Sequence, residues 1–186
     1  MWEEFYMSDF MTTFSKVEFT PLNPKKEDIL VDDIAHALSF MTRANGHFPE
    51  FYSVGQHCIF CCEEAIARGF SNRVALACLL HDASEAYMAD IIRPVKKHLS
   101  EYLEIEEKLQ TFIYKTFIEE DLNDDELKLV HFIDNALLYN EFIHYANKEL
   151  EIDKVDLVSK PVFKFTDFKE VENKYKELFY NLINNI

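Results

Sequence analysis

Ser71-Asn72-Arg73-Val74-Ala75-Leu76-Ala77-Cys78-Leu79-Leu80-His81-Asp82 is the stretch on which the reading of this chain turns. Ser71 or Asn72 is suited to cap a helix, because a short polar side chain there accepts from the free N–H groups of the first turn. An apolar helix runs through Leu80. A histidine and an aspartate then stand side by side at its C-terminal end.

Working outward, the flanking segments also read as helices. Upstream, Ser53 caps a helix that runs to about Arg68, and Gly69 stops it. From Glu27, Leu30, Ile34, Ala37, Leu38 and Met41 recur at intervals of three and four, until Asn45-Gly46 ends that helix. Downstream, a loop carries Asp90 and Pro94. Two long helices follow, one over roughly Leu99 to Glu119 with Tyr102, Ile105, Leu109, Phe112 and Ile113 on a stripe. The other starts near Asn123 or Asp124 and places Leu127, Val130, Asp134, Leu137 and Leu138 along one face. A last helix covers about Asp167 to Leu182. Residues 1–26 read as irregular, with Phe14, Val17 and Phe19 in a short hairpin that Pro21 and Pro24 end. Val162 to Phe165 is expected to form a short strand.

With 186 residues, only 3 Gly and 5 Pro, and no linker or repeat, the chain reads as one all-α domain over 1–186. Its core spans about 27–148. The formal net charge of −15, without a basic cluster, argues against DNA or RNA as a partner. No apolar run approaches the about 18 residues of a membrane helix. Met1 to Phe10 is acidic and aromatic rather than basic and then apolar, so no leader is expected. Cys58, Cys61, Cys62 and Cys78 crowd too closely for a disulfide framework. Cys58-Ile59-Phe60-Cys61 has the two-cysteine spacing of redox and zinc motifs, but no second pair exists, and core packing is the better reading. A reducing cytoplasm is the expected compartment.

The chemistry lies in His57, His81-Asp82, Glu85 and Asp134. Each has an ordinary explanation, a core histidine or a capping aspartate. Together they are harder to dismiss, because a buried carboxylate is costly unless it is paired or bound to a metal. Two imidazoles and two carboxylates suit a divalent cation: manganese, iron, cobalt, nickel, zinc or magnesium.

The order His57, His81-Asp82, Asp134 resembles the His…His-Asp…Asp signature of the HD superfamily. Phe51-Tyr52-Ser53-Val54-Gly55-Gln56-His57, Ala77 to Tyr87, Asp90 and Arg93-Pro94-Val95-Lys96 resemble its YfbR-like 5′-nucleotidase branch. Asp33 to Ser39, Arg43 and Gly46-His47 resemble phage and prophage members. The likeness covers about Pro21 to Asn140. It departs from the (p)ppGpp hydrolases, which carry an acidic pair where Glu85-Ala86 stands. The Gly-His-Pro-Pro stretch of the dGTP triphosphohydrolases and the extra histidines of the two-metal phosphodiesterases are also missing.

The resemblance implies a helical bundle holding one divalent cation on His57, His81, Asp82 and Asp134. Glu85 would handle a proton, and Asp90 would orient water or a sugar hydroxyl. Arg43, His47 and Lys96 would meet phosphate. The implied substrate is a (deoxy)nucleoside 5′-monophosphate, with triphosphate or phosphodiester hydrolysis and non-catalytic nucleotide binding as rivals. Tyr52, Phe48 and Tyr87 are candidates to stack on a base. His36 is expected to bond to the loop before His57, and His98, His131 and His144 are given no role. A homodimer or higher homo-oligomer is expected by analogy.

Overall fold

The computed structural model describes residues 8–186, so Met1 to Met7 of the expected irregular segment lie outside the described residues. A two-residue hairpin opens it: β1 (Met11–Thr12) pairs antiparallel with β2 (Glu18–Phe19), with Met11 opposite Phe19. Eight helices follow: α1 (Val31–Phe40), α2 (Val54–Ala67), α3 (Asn72–Leu80), α4 (Glu85–Met88), α5 (Arg93–Lys96), α6 (Ser100–Ile118), α7 (Asp124–Ala146) and α8 (Phe168–Ile183). The chain is all-α with a minor N-terminal hairpin, as the sequence implies. Among the described residues, no helix is long and apolar enough to cross a membrane.

The caps explain where the helices begin. Ser53 accepts from Gln56 N, and Ser71, rather than Asn72, accepts from Val74 N. Asn123 and Glu126 form a reciprocal capping box at the start of α7. Gly69, at φ +75°, ends α2.

Helix α3 is the centre. Val74 to Leu80 are all buried, and α2, α7, α8 and α6 pack around it. Gly55 sets how closely α1 and α2 approach, since a Cβ there would lie 3.1 Å from the Leu38 carbonyl carbon and oxygen. Helix α8 extends the core beyond residue 148: Val171, Tyr175, Leu178, Phe179 and Leu182 are buried, and Tyr175 Oη donates to Leu79 O at 2.8 Å.

Three expectations are corrected. The helix expected from Glu27 to Asn45-Gly46 is broken at both ends: Lys26–Asp28 is a separate 3₁₀ turn and Ile29 and Leu30 are extended before α1, and Met41 and Thr42 are extended before a second 3₁₀ turn at Arg43–Gly46. The loop carrying Asp90 and Pro94 contains two one-turn helices, α4 and α5. Val162 to Phe165 is not a strand; 147–167 is an irregular strap, and side chains instead of a ladder meet several of its backbone groups. The buried Glu64 carboxylate accepts from Val158 N at 2.9 Å, Ser159 N at 2.7 Å and Ser159 Oγ at 2.5 Å. Asn140 donates to Val155 O, and Gln56 donates to Lys164 O. Glu64→Ala is expected to destabilise the fold by about 2 kcal/mol in urea titrations, from donors left without an acceptor. Wild-type stability would show that the strap does not depend on Glu64.

Candidate metal centre

Three helices bring four ligand atoms together. His57 sits in the second turn of α2, His81 and Asp82 follow α3, and Asp134 is in α7. His57 Nε2 is 3.3 Å from His81 Nε2 and 3.2 Å from Asp134 Oδ1. His81 Nε2 is 3.2 Å from Asp82 Oδ2 and 3.8 Å from Asp134 Oδ1, and His57 Nε2 to Asp82 Oδ2 is 3.9 Å. Ligands at about 2.0–2.2 Å from one ion lie about 2.9–3.6 Å apart in octahedral or tetrahedral geometry. Three of these five separations fall in that range and the other two slightly exceed it.

The outer partners fix which nitrogen faces inward. His57 Nδ1 lies 2.5 Å from Glu141 Oε1, and His81 Nδ1 lies 2.8 Å from Cys78 O. A carbonyl can only accept, so His81 Nδ1 carries a proton, and in the neutral ring Nε2 presents the lone pair. The carboxylate of Glu141 holds His57 in the same tautomer. Two imidazole lone pairs and two carboxylate oxygens then face one another, which needs an intervening proton or cation. Burial raises both aspartate pKa values, but His81, His57 and Arg43 outweigh it and hold Asp82 and Asp134 far below the usual carboxylate range. Burial opposes a charge on His81 too, yet Asp82 raises its pKa well above the ordinary value. The site thus attracts positive charge in either form.

Glu141 is a participant that the sequence reading did not identify. It is fully buried, and its Oε1 also accepts from Tyr52 Oη at 2.8 Å. Arg43 faces both shells: one guanidinium nitrogen is 3.3 Å from Asp82 Oδ2, the other 3.6 Å from Glu141 Oε2. Burial lowers the Arg43 pKa, but Glu141, Asp82 and Asp134 overcome that and raise it. Its backbone is equally constrained. Arg43 N donates to Tyr52 O, and Ala44 and Asn45 take positive φ values of 50° and 52°. A non-glycine residue there costs on the order of 1 kcal/mol. Arg93, a second residue given no role from the sequence, donates to Asp134 Oδ2 at 2.7 Å and Asn135 Oδ1 at 3.1 Å. Two guanidiniums face three carboxylates, so a divalent cation would turn the innermost charge from negative to positive.

Glu85 opens α4, is 5% exposed, and has one carboxylate oxygen without a hydrogen bond. Burial first, then Asp82 and Asp90, push its pKa well above the carboxylate range. Burial likewise raises Asp90, against the pull of Arg43. Lys96 is 2.6 Å from Glu106 and 4.0 Å from Glu85, and helps line a cleft of about 270 Å³ with His81, Asp82, Ser84 and Gln110. His47 is exposed at the end of the Arg43–Gly46 turn, and among the described residues no hydrogen bond or ion pair ties its ring to the cluster.

Two aromatic expectations fail. Tyr52 is fully buried and bonded to Glu141, and Tyr87 is buried and stacks on Phe19 at 4.0 Å, so these rings pack the fold instead of facing a base. Phe48 is half-buried and stacks on Tyr145 at 4.7 Å. His36 is structural, but its partners are Glu172 of α8 at 3.2 Å and the ring of Phe14, not the loop before His57. The four cysteines are free and buried, and burial pushes Cys58 up to about 11 and Cys78 up to about 12.

No family model matches the chain. It is similar to the uncharacterized protein YfdR of Escherichia coli (strain K12), 39% identical over 108 residues, which is 58% of each chain. It is also similar to an uncharacterized protein of Rhodobacter capsulatus, 39% identical over 102 residues, 52% of each. The chain therefore matches little more than half the length of either relative.

Proposed function

We propose that this chain is an HD-type, divalent-metal-dependent phosphohydrolase of nucleotides, acting on (deoxy)nucleoside 5′-monophosphates. The observation that carries the reading is the convergence of His57, His81, Asp82 and Asp134, with both imidazoles oriented from behind by Glu141 and Cys78 O. A charge balance that a divalent cation would invert also favours an anionic substrate.

A cation held there by His57, His81, Asp82 and Asp134 would lower the pKa of a bound water and polarise a phosphoryl oxygen. Arg43, kept charged by its carboxylate neighbours, stabilises the phosphate as negative charge builds. Glu85, with a carboxylate oxygen free of partners, holds the proton that moves during turnover. Asp90 faces the same groups and orients a water or a sugar hydroxyl. Lys96 sits at the wall of the adjoining cleft, where a substrate anion would compete with Glu106 for it.

Glu85→Gln is expected to keep metal binding and lose about 10²–10³-fold in kcat. If protonated Glu85 is the active form, activity is full below its pKa and falls as pH rises through it. Burial and Asp90 hold the Glu85 pKa up, while a bound cation would draw it down. An alkaline limb that belongs to Glu85 is absent in Glu85→Gln. A variant with wild-type kcat and an unchanged pH–rate profile would make Glu85 a bystander.

The decisive assay is a screen of nucleoside mono-, di- and triphosphates with each reconstituted metal, with products identified. Inorganic phosphate from monophosphates is the expected result. Pyrophosphate or triphosphate release would move the activity to a sister reaction, and tight nucleotide binding with no product would make the chain a binding module.

A further inference from the structure

Behind the proposed cation site lies a thiol for which the mechanism above has no use. Cys61 follows His57 by one turn of α2, and its Sγ is 3.5 Å from His57 Nε2, the nitrogen that faces His81. One ligand atom each from His57, Cys61 and His81 lie within 4.8 Å of one another. A tetrahedral ion with metal–sulfur near 2.3 Å and metal–nitrogen near 2.05 Å separates sulfur from nitrogen by about 3.6 Å, and the two nitrogens by about 3.3 Å. The observed distances are 3.5 and 3.3 Å. Right-angled octahedral ligands would lie closer, at about 3.1 and 2.9 Å. Cys58 instead groups with His81 and Asp82.

Resting on the metal-site reading above, we propose that His57, Cys61 and His81 form a second, soft face of the same site. This face takes thiophilic cations such as Zn²⁺ or Cd²⁺ in a tetrahedron completed by one of the two aspartates. Hard cations such as Mn²⁺ and Mg²⁺ use His57, His81, Asp82 and Asp134 and leave Cys61 as a thiol. In the soft mode the S–H bond breaks, the proton goes to solvent and the sulfur binds the ion. Four protein ligands then close the coordination sphere and leave no open position for water or phosphate. A soft cation on this face is therefore inhibitory.

The test uses the full chain, stripped of metal and titrated with Co²⁺. A thiolate-to-cobalt charge-transfer band in the near ultraviolet is expected, absent in Cys61→Ser and retained in Cys58→Ser. Cys61→Ser should also lose about 10–100-fold in Cd²⁺ affinity while its Mn²⁺ affinity stays within about twofold. If Cys61→Ser fails to fold, Cys61→Ala is read in its place, and the wild-type spectrum needs no variant. Stoichiometric Co²⁺ without the band overturns the soft face and leaves the His57, His81, Asp82, Asp134 site standing. A band that survives in Cys61→Ser, or equal losses of Cd²⁺ and Mn²⁺ affinity, also overturns it. Failure of wild type to bind Co²⁺ at all would overturn both readings.

Discussion

Asp82→Asn protein, stripped of metal and reconstituted with Mn²⁺, is expected to bind the ion about 100-fold more weakly and to release phosphate at least about 10³-fold more slowly than wild type. The rate loss corresponds to about 4 kcal/mol of transition-state stabilisation, within what a bound cation supplies. The substitution removes a ligand charge and a contact at once. Asp82 Oδ2 lies 3.2 Å from His81 Nε2 and 3.3 Å from the Arg43 guanidinium. An amide nitrogen in that place would oppose the Arg43 donor, and an amide oxygen would carry no charge to balance it. The fold itself should survive, since the Asp82 side chain is 18% exposed and has polar neighbours instead of apolar packing. Mn²⁺ paramagnetic resonance, a phosphate-release assay and a thermal melt separate these effects. Undiminished turnover in metal-stripped Asp82→Asn would remove the site from the mechanism.

The cluster of His57, His81, Asp82 and Asp134, the candidate ligand set, is legible because each member breaks a local rule of the sequence. His57 and Asp134 interrupt apolar faces, and His81-Asp82 ends an apolar helix without a capping glycine. The residues that orient them left weaker marks. Glu141 is seven residues beyond Asp134 on α7, two turns that return it to nearly the same face. That spacing was available, but a glutamate in a helix usually reads as solvated. Tyr52 looked like a base-stacking ring because sequence cannot tell a buried hydroxyl from an exposed aromatic face. Arg93 was visible only as part of a resemblance, and its contact with Asp134 joins α5 to α7 across 41 positions. The strap over 147–167 escaped for another reason. Its hydrogen bonds go to Glu64, Asn140 and Gln56, long-range partners that no local periodicity encodes.

Glu141 gives the second large effect. Its Oε1 faces His57 Nδ1 at 2.5 Å and Tyr52 Oη at 2.8 Å, and Oε2 faces Arg43 at 3.6 Å, with Glu141 and His57 fully buried. Burial raises its pKa, but His57 and Arg43 outweigh that and keep it ionised. Glu141→Leu would strand two donors and the Arg43 charge, and is expected to destabilise the fold by about 3–5 kcal/mol. Glu141→Gln keeps the shape and one acceptor, so the loss should be about 1–3 kcal/mol. Metal binding separates orientation from packing. A glutamine amide can donate to Nδ1 and drive the His57 proton to Nε2, where it occupies the lone pair that the cation needs. Mn²⁺ affinity in Glu141→Gln should therefore fall by about 10–100-fold even in protein that melts cooperatively. If urea titrations show the expected destabilisation while Mn²⁺ affinity is unchanged, Glu141 supports the core without setting the tautomer. His57 would then be held for the cation by α2 alone.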